Sequence, residues 1–248
     1  MSGASNRMID NMDIVTKAEL EIPRYADQFL PWVENKLDYL HTIKKGKRII
    51  RFRQGFAKEL IEEALPIGIF CLHHFKSSPD IKIQHIIGNQ KYDAIVTDLG
   101  ENKSPISFLE VTQAHEGENE HLRMLALERD GHVSAIGTVR KTGTKHTGIT
   151  VYVSNEAKRH SELLNNELDK IKEAAERKSD KVYSNGTALL IVFDDSIVGR
   201  TAEDSNAIAV FVKDNILQYL INFRWVALIG WSKSAFLEFN MADYSIQL

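Results

Sequence analysis

The sequence predicts an α/β fold, with a mixed central sheet flanked by helices and an N-terminal helical extension. Three observations carry this. Apolar residues recur at helical spacing in several separate segments. Between them lie short runs that alternate or are wholly apolar, as strands do. The two kinds of segment interleave along 248 residues, and no Pro/Gly-rich linker, repeat or low-complexity stretch divides the chain.

The first helix is expected from Arg24 to about Lys45, where Phe29, Trp32, Val33, Leu37 and Leu40 step by three and four; Pro31 falls in its first turns, where proline is tolerated. Residues 44–53 then place six cations in ten positions (Lys44, Lys45, Lys47, Arg48, Arg51 and Arg53). A second helix is expected over Phe56 to about Phe75, bent or ended near Pro66, with Phe56, Leu60, Ala64 and Ile67 on its apolar side. Ser77-Ser78-Pro79-Asp80 reads as a turn. Strands are expected at Ile81–Ile87, Tyr92–Thr97 and Ile106–Val111, separated by Gly88-Asn89-Gln90 and the polar loop 100–105, which makes a meander. Glu116–Arg129 reads as a helix, His132–Val153 as a glycine-punctuated β segment, and Asn155–Lys178 as a charged helix. Thr187–Phe193 reads as a strand buried on both faces, Ser205–Asn222 as a helix and Trp225–Trp231 as a last buried strand. The domain division expected is residues 1–50 as an extension carrying a helix and the basic run, and 51–248 as one domain.

Composition narrows the function classes. Hydrophobic residues make up 43% and charged residues 26%, ordinary for a globular protein with a sizeable core. Cys71 is the only cysteine, so an intrachain disulfide and a multi-Cys zinc module are excluded; it reads as a small buried hydrophobe. The first fifteen residues lack the apolar region of a signal peptide, and no run approaches the roughly 18 apolar residues that cross a bilayer, so a cytoplasmic protein with no membrane partner is expected. Net charge is −3, so contact with nucleic acid would rest on local patches. Neither a phosphate-cradling Gly-x-x-x-x-Gly-Lys-Ser/Thr loop nor a Gly-x-Ser-x-Gly elbow is present, which argues against nucleoside-triphosphate hydrolysis and esterase chemistry.

The chemistry centres on two acids. Side chains alternate along a strand, so Asp93 shares a face with Ile95 and Thr97, and Glu110 shares one with Thr112. The acids are seventeen positions apart on adjacent antiparallel strands, with a loop long enough for them to meet. Glu110 lies among Phe108, Leu109 and Val111, and a carboxylate in so apolar a strand needs a partner. A divalent cation is one such partner, and oxygen ligands suit Mg²⁺ or Mn²⁺.

The order of these segments resembles the PD-(D/E)XK (restriction-endonuclease-like) nuclease superfamily: a helix with glutamate, a strand, a strand with aspartate, a strand with Glu-x-Lys, then helix and strand. The matching stretches are Lys58-Glu59-Leu60-Ile61-Glu62-Glu63-Ala64, Tyr92-Asp93-Ala94-Ile95-Val96 and Phe108-Leu109-Glu110-Val111-Thr112, within about residues 56–195. The resemblance implies that Asp93 and Glu110 hold the metal, with a helix glutamate in support. Glu63 is favoured, then Glu59; the two are four apart and so share one helix face. It also implies a metal-dependent phosphodiesterase acting on DNA, in restriction, repair or mobile-element defence, possible as a homodimer. The family's lysine is replaced here by Thr112, which is neutral and short. Gln113 or a lysine from elsewhere, such as Lys172 or Lys181, could take its place; the metal alone could suffice; or the module has lost catalysis and only binds nucleic acid or a protein partner. Thr112 and Gln113 are placed as residues that orient water or the metal shell.

Two basic stretches are candidate contacts to nucleic-acid phosphates: the 44–53 run, and Arg140, Lys141 and Lys145 at what reads as a hairpin tip. His115, Glu116 and His121 match no zinc spacing, and the adjacent His73 and His74 diverge by about 100° on a helix. Asp194-Asp195 reads as a cap on the turn that follows its strand.

Overall fold

The computed structural model describes residues 14–144 and 148–244. It is an α/β structure with one mixed seven-stranded sheet flanked by helices. The strands are β1 (Arg24–Tyr25), β2 (Ile81–His85), β3 (Ala94–Asp98), β4 (Phe108–Gln113), β7 (Thr187–Phe193), β8 (Trp225–Gly230) and β9 (Phe236–Asn240), in that spatial order. β1 to β4 pair antiparallel, β4, β7 and β8 pair parallel, and β9 returns antiparallel on β8. A separate two-stranded ribbon is formed by β5 (Val139–Thr144) and β6 (Gly148–Val153).

Alternation along β7 shows how the layers form. Ala188, Leu190 and Val192 enter one core with Phe29, Leu30 and Val33 of helix α2 (Ala26–Thr42) and Ile67 and Phe70 of helix α5 (Leu65–His74). Leu189, Ile191 and Phe193 enter the other, with Ile171 and Ala175 of helix α7 (His160–Ser179) and Ile208 and Val212 of helix α8 (Ala202–Asn215). A strand with both faces covered reads as a continuous apolar run, which is why its sequence was unambiguous. The helix assigned to the N-terminal extension thus lays its apolar face into the same core as residues 51–248. Cys71 lies in that core, where burial pushes its thiol pKa up.

Two segments carry detail beyond the sequence reading. Within the basic run, Gly46–Arg51 forms helix α3, and Gly46 lets it fold tightly onto α2, since a Cβ there would fall 1.5 Å from the Leu40 carbonyl oxygen. The second helix does not end at Pro66. It runs from helix α4 (Ala57–Glu59) through a π-helical segment, Leu60–Ala64, into α5, with the Leu65 N–H bonded to the Leu60 carbonyl. The wider turn carries the chain past the proline. β9 had no counterpart in the sequence reading.

Among the described residues, no helix is long and apolar enough to cross a membrane. The insert between β4 and α7 holds helix α6 (Gly117–Asp130) and the β5–β6 ribbon, which share a small core of Leu122, Ala126 and Val151.

Candidate active site

β4 is the central element of the site, because its two faces serve different helices. Leu109 and Val111 point into the core beneath α2 and α5. Glu110 points the other way, to α7: Lys178 Nζ donates to Glu110 Oε1 at 2.5 Å, and Tyr183 Oη donates to the same oxygen at a long 3.5 Å. Both Glu110 and its face-mate Thr112 are buried, at 6% exposure each. A carboxylate so deep requires compensation, and Lys178 supplies it.

Asp93 sits where the ladder between β3 and β4 opens. The last paired residues are Ala94 and Leu109, yet the Asp93 N–H also bonds the Leu109 carbonyl, at 2.8 Å, one residue out of register. Its carboxyl then turns along the ladder, and Oδ2 accepts the Val111 N–H at 2.7 Å. The side chain thereby replaces the strand partner that Val111 lacks. From the helix side, Glu63 in the π-helical segment bonds the fully buried His85 of β2, Oε2 to Nε2 at 2.8 Å.

These groups act on one another. The Asp93 carboxyl is pushed up to about 8, chiefly by loss of hydration, then by the negative charges of Glu63 and Glu110; the Val111 N–H and the Lys178 charge oppose the rise. Tyr183 is also held above the usual phenol range, by burial first and then by Glu110 and Asp93. An Asp93 carboxyl whose proton affinity is raised by burial and by two neighbouring negative charges marks a site that favours added positive charge.

The fit to a divalent cation follows from the donor set. Among the described residues, no group of three or more His, Cys, Asp or Glu side chains is gathered to hold a metal ion. The site is therefore not a protein cage. It suits a hard cation held by two carboxylates, Asp93 and Glu110, with the remaining positions left for water or substrate oxygen, which is how Mg²⁺ is commonly bound.

The other expected residues are placed as follows. Gln113 points away from Glu110, and its Nε2 donates to the Glu62 carbonyl at 2.5 Å. That carbonyl would normally accept from residue 66, which is Pro66 and has no N–H. Gln113 thus fills a gap that the proline creates, while its Oε1 is buried without a partner. Lys172 pairs along its own helix with Glu176, at 3.9 Å. The lysine brought to the site is Lys178, sixty-eight residues after Glu110, which sequence spacing could not single out. One signal was available: the last turn of the charged helix carries Arg177 and Lys178, and a helix following β4 must return along it to reach a parallel β7.

Of the basic residues, Lys44, Lys47 and Arg51 are exposed, while Arg48 pairs with Glu128 at 2.8 Å. Arg53 is turned inward, 3.5 Å from Glu62 and with its guanidinium 5.3 Å from the centre of the Trp231 ring. Beside it, His115 has a lowered pKa through burial, against the charges of Glu62 and Glu120. Lys45 lies at the exposed start of α3; Arg140 is exposed, and Lys141 donates to Glu118 at 2.9 Å. Lys145 lies outside the described residues. Asp194 and Asp195 both cap turns: Asp194 Oδ1 accepts the Ser196 N–H, and the buried Asp195 accepts the N–H groups of Ser232 and Ala235.

The chain matches no protein-family model, no curated protein and no solved structure.

Proposed function

We propose that this chain is a cytoplasmic, divalent-metal-dependent nuclease that hydrolyses DNA phosphodiester bonds on a restriction-endonuclease-like core. The observation that carries the reading is the buried Glu110–Lys178 pair on β4 beside Asp93, whose carboxyl accepts the Val111 N–H and feels the negative charges of Glu110 and Glu63. The order of elements supports it too: a helix bearing Glu63, an antiparallel meander bearing Asp93 and Glu110, then α7 and a parallel β7.

In this reading Asp93 and Glu110 hold Mg²⁺ or Mn²⁺. The cation, when bound, acidifies a coordinated water and offsets charge on the phosphoryl oxygens. The chain's own residues do the rest. Val111 fixes one Asp93 oxygen through its N–H, and the carboxyl so held would be the metal's ligand from this strand. Lys178 provides, from α7, the positive charge that Thr112 cannot provide from β4; beside Glu110 it is placed to stabilise charge developing on a phosphate. His85 holds Glu63 so that its charge is directed at Asp93. Buried Thr112 is neutral and lines the same face as Glu110.

A second reading is an inactive nuclease-fold module that binds nucleic acid or a protein partner. The observation in its favour is that Lys178 already neutralises Glu110. Incubation with plasmid and linear DNA in Mg²⁺, Mn²⁺ or EDTA separates the two. The nuclease reading expects cleavage in either metal, none in EDTA, and none in Asp93→Ala or Glu110→Ala. DNA retardation without cleavage by the parent chain favours the binding module instead.

A further inference from the structure

We infer that the β5–β6 ribbon is a groove-reading arm that docks into duplex DNA and so makes the duplex, not the single strand, the preferred substrate. The inference rests on the nuclease reading of the Asp93–Glu110 site.

The first observation is the fold of the ribbon. It is a two-stranded sheet of its own, separate from the central seven strands. Its base is anchored. Val139, Val151 and Val153 meet Leu122, Leu125 and Ala126 of α6, and the Lys141 ammonium donates to Glu118. Beyond that base, residues 141–144 and 148–150 are exposed whichever way they point. The register sorts the faces. The pairs Val139–Val153 and Lys141–Val151 lie on the anchored face, so Arg140–Tyr152 and Thr142–Thr150 lie together on the outer one. The outer face is solvent-facing, and Tyr152 is 62% exposed there.

The second observation is charge. Residues 131–155 contain no aspartate or glutamate, in a chain where 34 of 248 residues are acidic. The same stretch carries Arg140, Lys141 and Lys145. The exposed described residues of the ribbon, 140–144 and 148–150 with Tyr152, include cations and no acid on a protein of net charge −3, and such a surface attracts a polyanion. Dimensions choose which polyanion. Strands about 4.8 Å apart form a ribbon that a major groove about 12 Å wide admits, and six-residue strands reach about 20 Å. The outer face offers hydroxyls at Thr142, Thr150 and Tyr152 and a guanidinium at Arg140, all donors to phosphates and base edges. The insert leaves β4 after Gln113, three residues beyond Glu110, so the ribbon and the proposed cleavage centre are tied to the same strand.

The test compares a 20-base-pair duplex with its own single strand, both at matched salt with Ca²⁺ or EDTA in place of Mg²⁺, by fluorescence anisotropy on the full chain. The parent is expected to bind the duplex about tenfold more tightly or better. Arg140→Gln should weaken duplex binding by about tenfold and reduce its salt slope by about 1, as expected for one lost phosphate contact. Replacing residues 142–150 by Asn-Gly keeps the pair Lys141–Val151 as the closing pair of a tight hairpin and should abolish the duplex preference. Circular dichroism confirms the fold of each variant, and Arg140→Gln, at an exposed site, covers the case in which the shortened ribbon does not fold. Equal affinity for duplex and single strand, no binding by the parent, or parent-level duplex affinity in Arg140→Gln and the shortened ribbon overturns the proposal. Ribbon-dependent duplex binding without cleavage in Mg²⁺ overturns the nuclease reading and leaves the arm standing. Cleavage lost in Asp93→Ala, with unchanged binding by the shortened ribbon, does the reverse.

Discussion

β4 and β7 are neighbours, parallel and in register, and both lie deep in the sheet. β7 is buried at all seven positions and contains no charged residue. β4 is almost as deep, yet it places Glu110, Thr112 and Gln113 where β7 has Leu189, Ile191 and Val192. In β7 burial is used for packing alone. In β4 it desolvates a carboxylate, which is costly unless the group is paired and which makes an added cation favourable. The contrast locates the site: an ionised group in a central strand, with a cation brought from a distant helix to hold it.

The largest effect that sharpens this contrast is catalytic. Asp93→Ala and Glu110→Ala should each lower Mg²⁺-dependent DNA cleavage by roughly a thousandfold or more, about 4 kcal/mol, by removing half of the proposed carboxylate pair. Asp93→Ala relieves carboxylate repulsion and should leave the chain folded, whereas Glu110→Ala leaves Lys178 without its partner and should lower the melting temperature, so its rate is read below that melt. Gel-based cleavage rates and thermal melts check both halves. The converse holds in β7. Leu190 is fully buried, and Leu190→Ala should lower unfolding free energy by about 2–5 kcal/mol in urea titrations. At temperatures where it remains folded, it should cleave at the parent's rate. If Leu190→Ala slowed cleavage as much as Glu110→Ala, the division of labour between the strands would be broken.

Lys178 comes next. Lys178→Met should cost about a hundredfold in cleavage, the loss expected when a positioned charge leaves a site from which water is largely excluded. Because Lys178 lowers the Asp93 pKa, the variant's acid limb in a pH–rate profile should move to higher pH. Lys178→Arg should recover part of the rate. A parent-like rate in Lys178→Met would show that the metal pair acts alone.

How much of this was legible in the sequence depends on the range of the interaction. β7, β8 and the helices α2, α7 and α8 announce themselves through local periodicity, which the core then uses directly. Asp93 and Glu110 were legible because adjacent strands in a meander fix cross-strand neighbours. Glu63 was legible as one of three glutamates on a turn, though the π-helical widening that aims it at His85 was not, since it depends on how the chain passes Pro66. Gln113 was read as a partner of the site because it follows Thr112; its bond to the Glu62 carbonyl requires knowing which acceptor the proline leaves open. Lys178 was out of reach of spacing alone, because its contact with Glu110 spans the whole insert, and only the return of the charged helix along β4 pointed to its last turn. β9 was missed because a five-residue edge strand, Phe236–Asn240, has too little alternation to stand out.

The smallest effect, counted per pH unit, is a dependence of stability on pH that β7 does not share. In the unfolded chain Asp93 has an ordinary carboxyl pKa of about 4. In the folded chain it is raised to about 8, chiefly by burial and then by Glu63 and Glu110. Between these values the folded state holds a proton that the unfolded state has released. Unfolding free energy in the absence of divalent metal should therefore fall as pH rises from about 4 to about 8, by at most about 1.4 kcal/mol per pH unit from this group. Asp93→Asn removes the difference in proton binding and should flatten that part of the profile, whereas Leu190→Ala should lower the whole curve without changing its slope. Mg²⁺ binds the ionised carboxylates, so its stabilising effect should grow with pH and offset the decline in the parent, and should be much smaller at every pH in Asp93→Asn. Urea titrations at a series of pH values, with and without Mg²⁺, measure both slopes. An equal metal response in parent and Asp93→Asn would place the cation away from β4 and leave its buried carboxylate as a purely structural ion pair with Lys178.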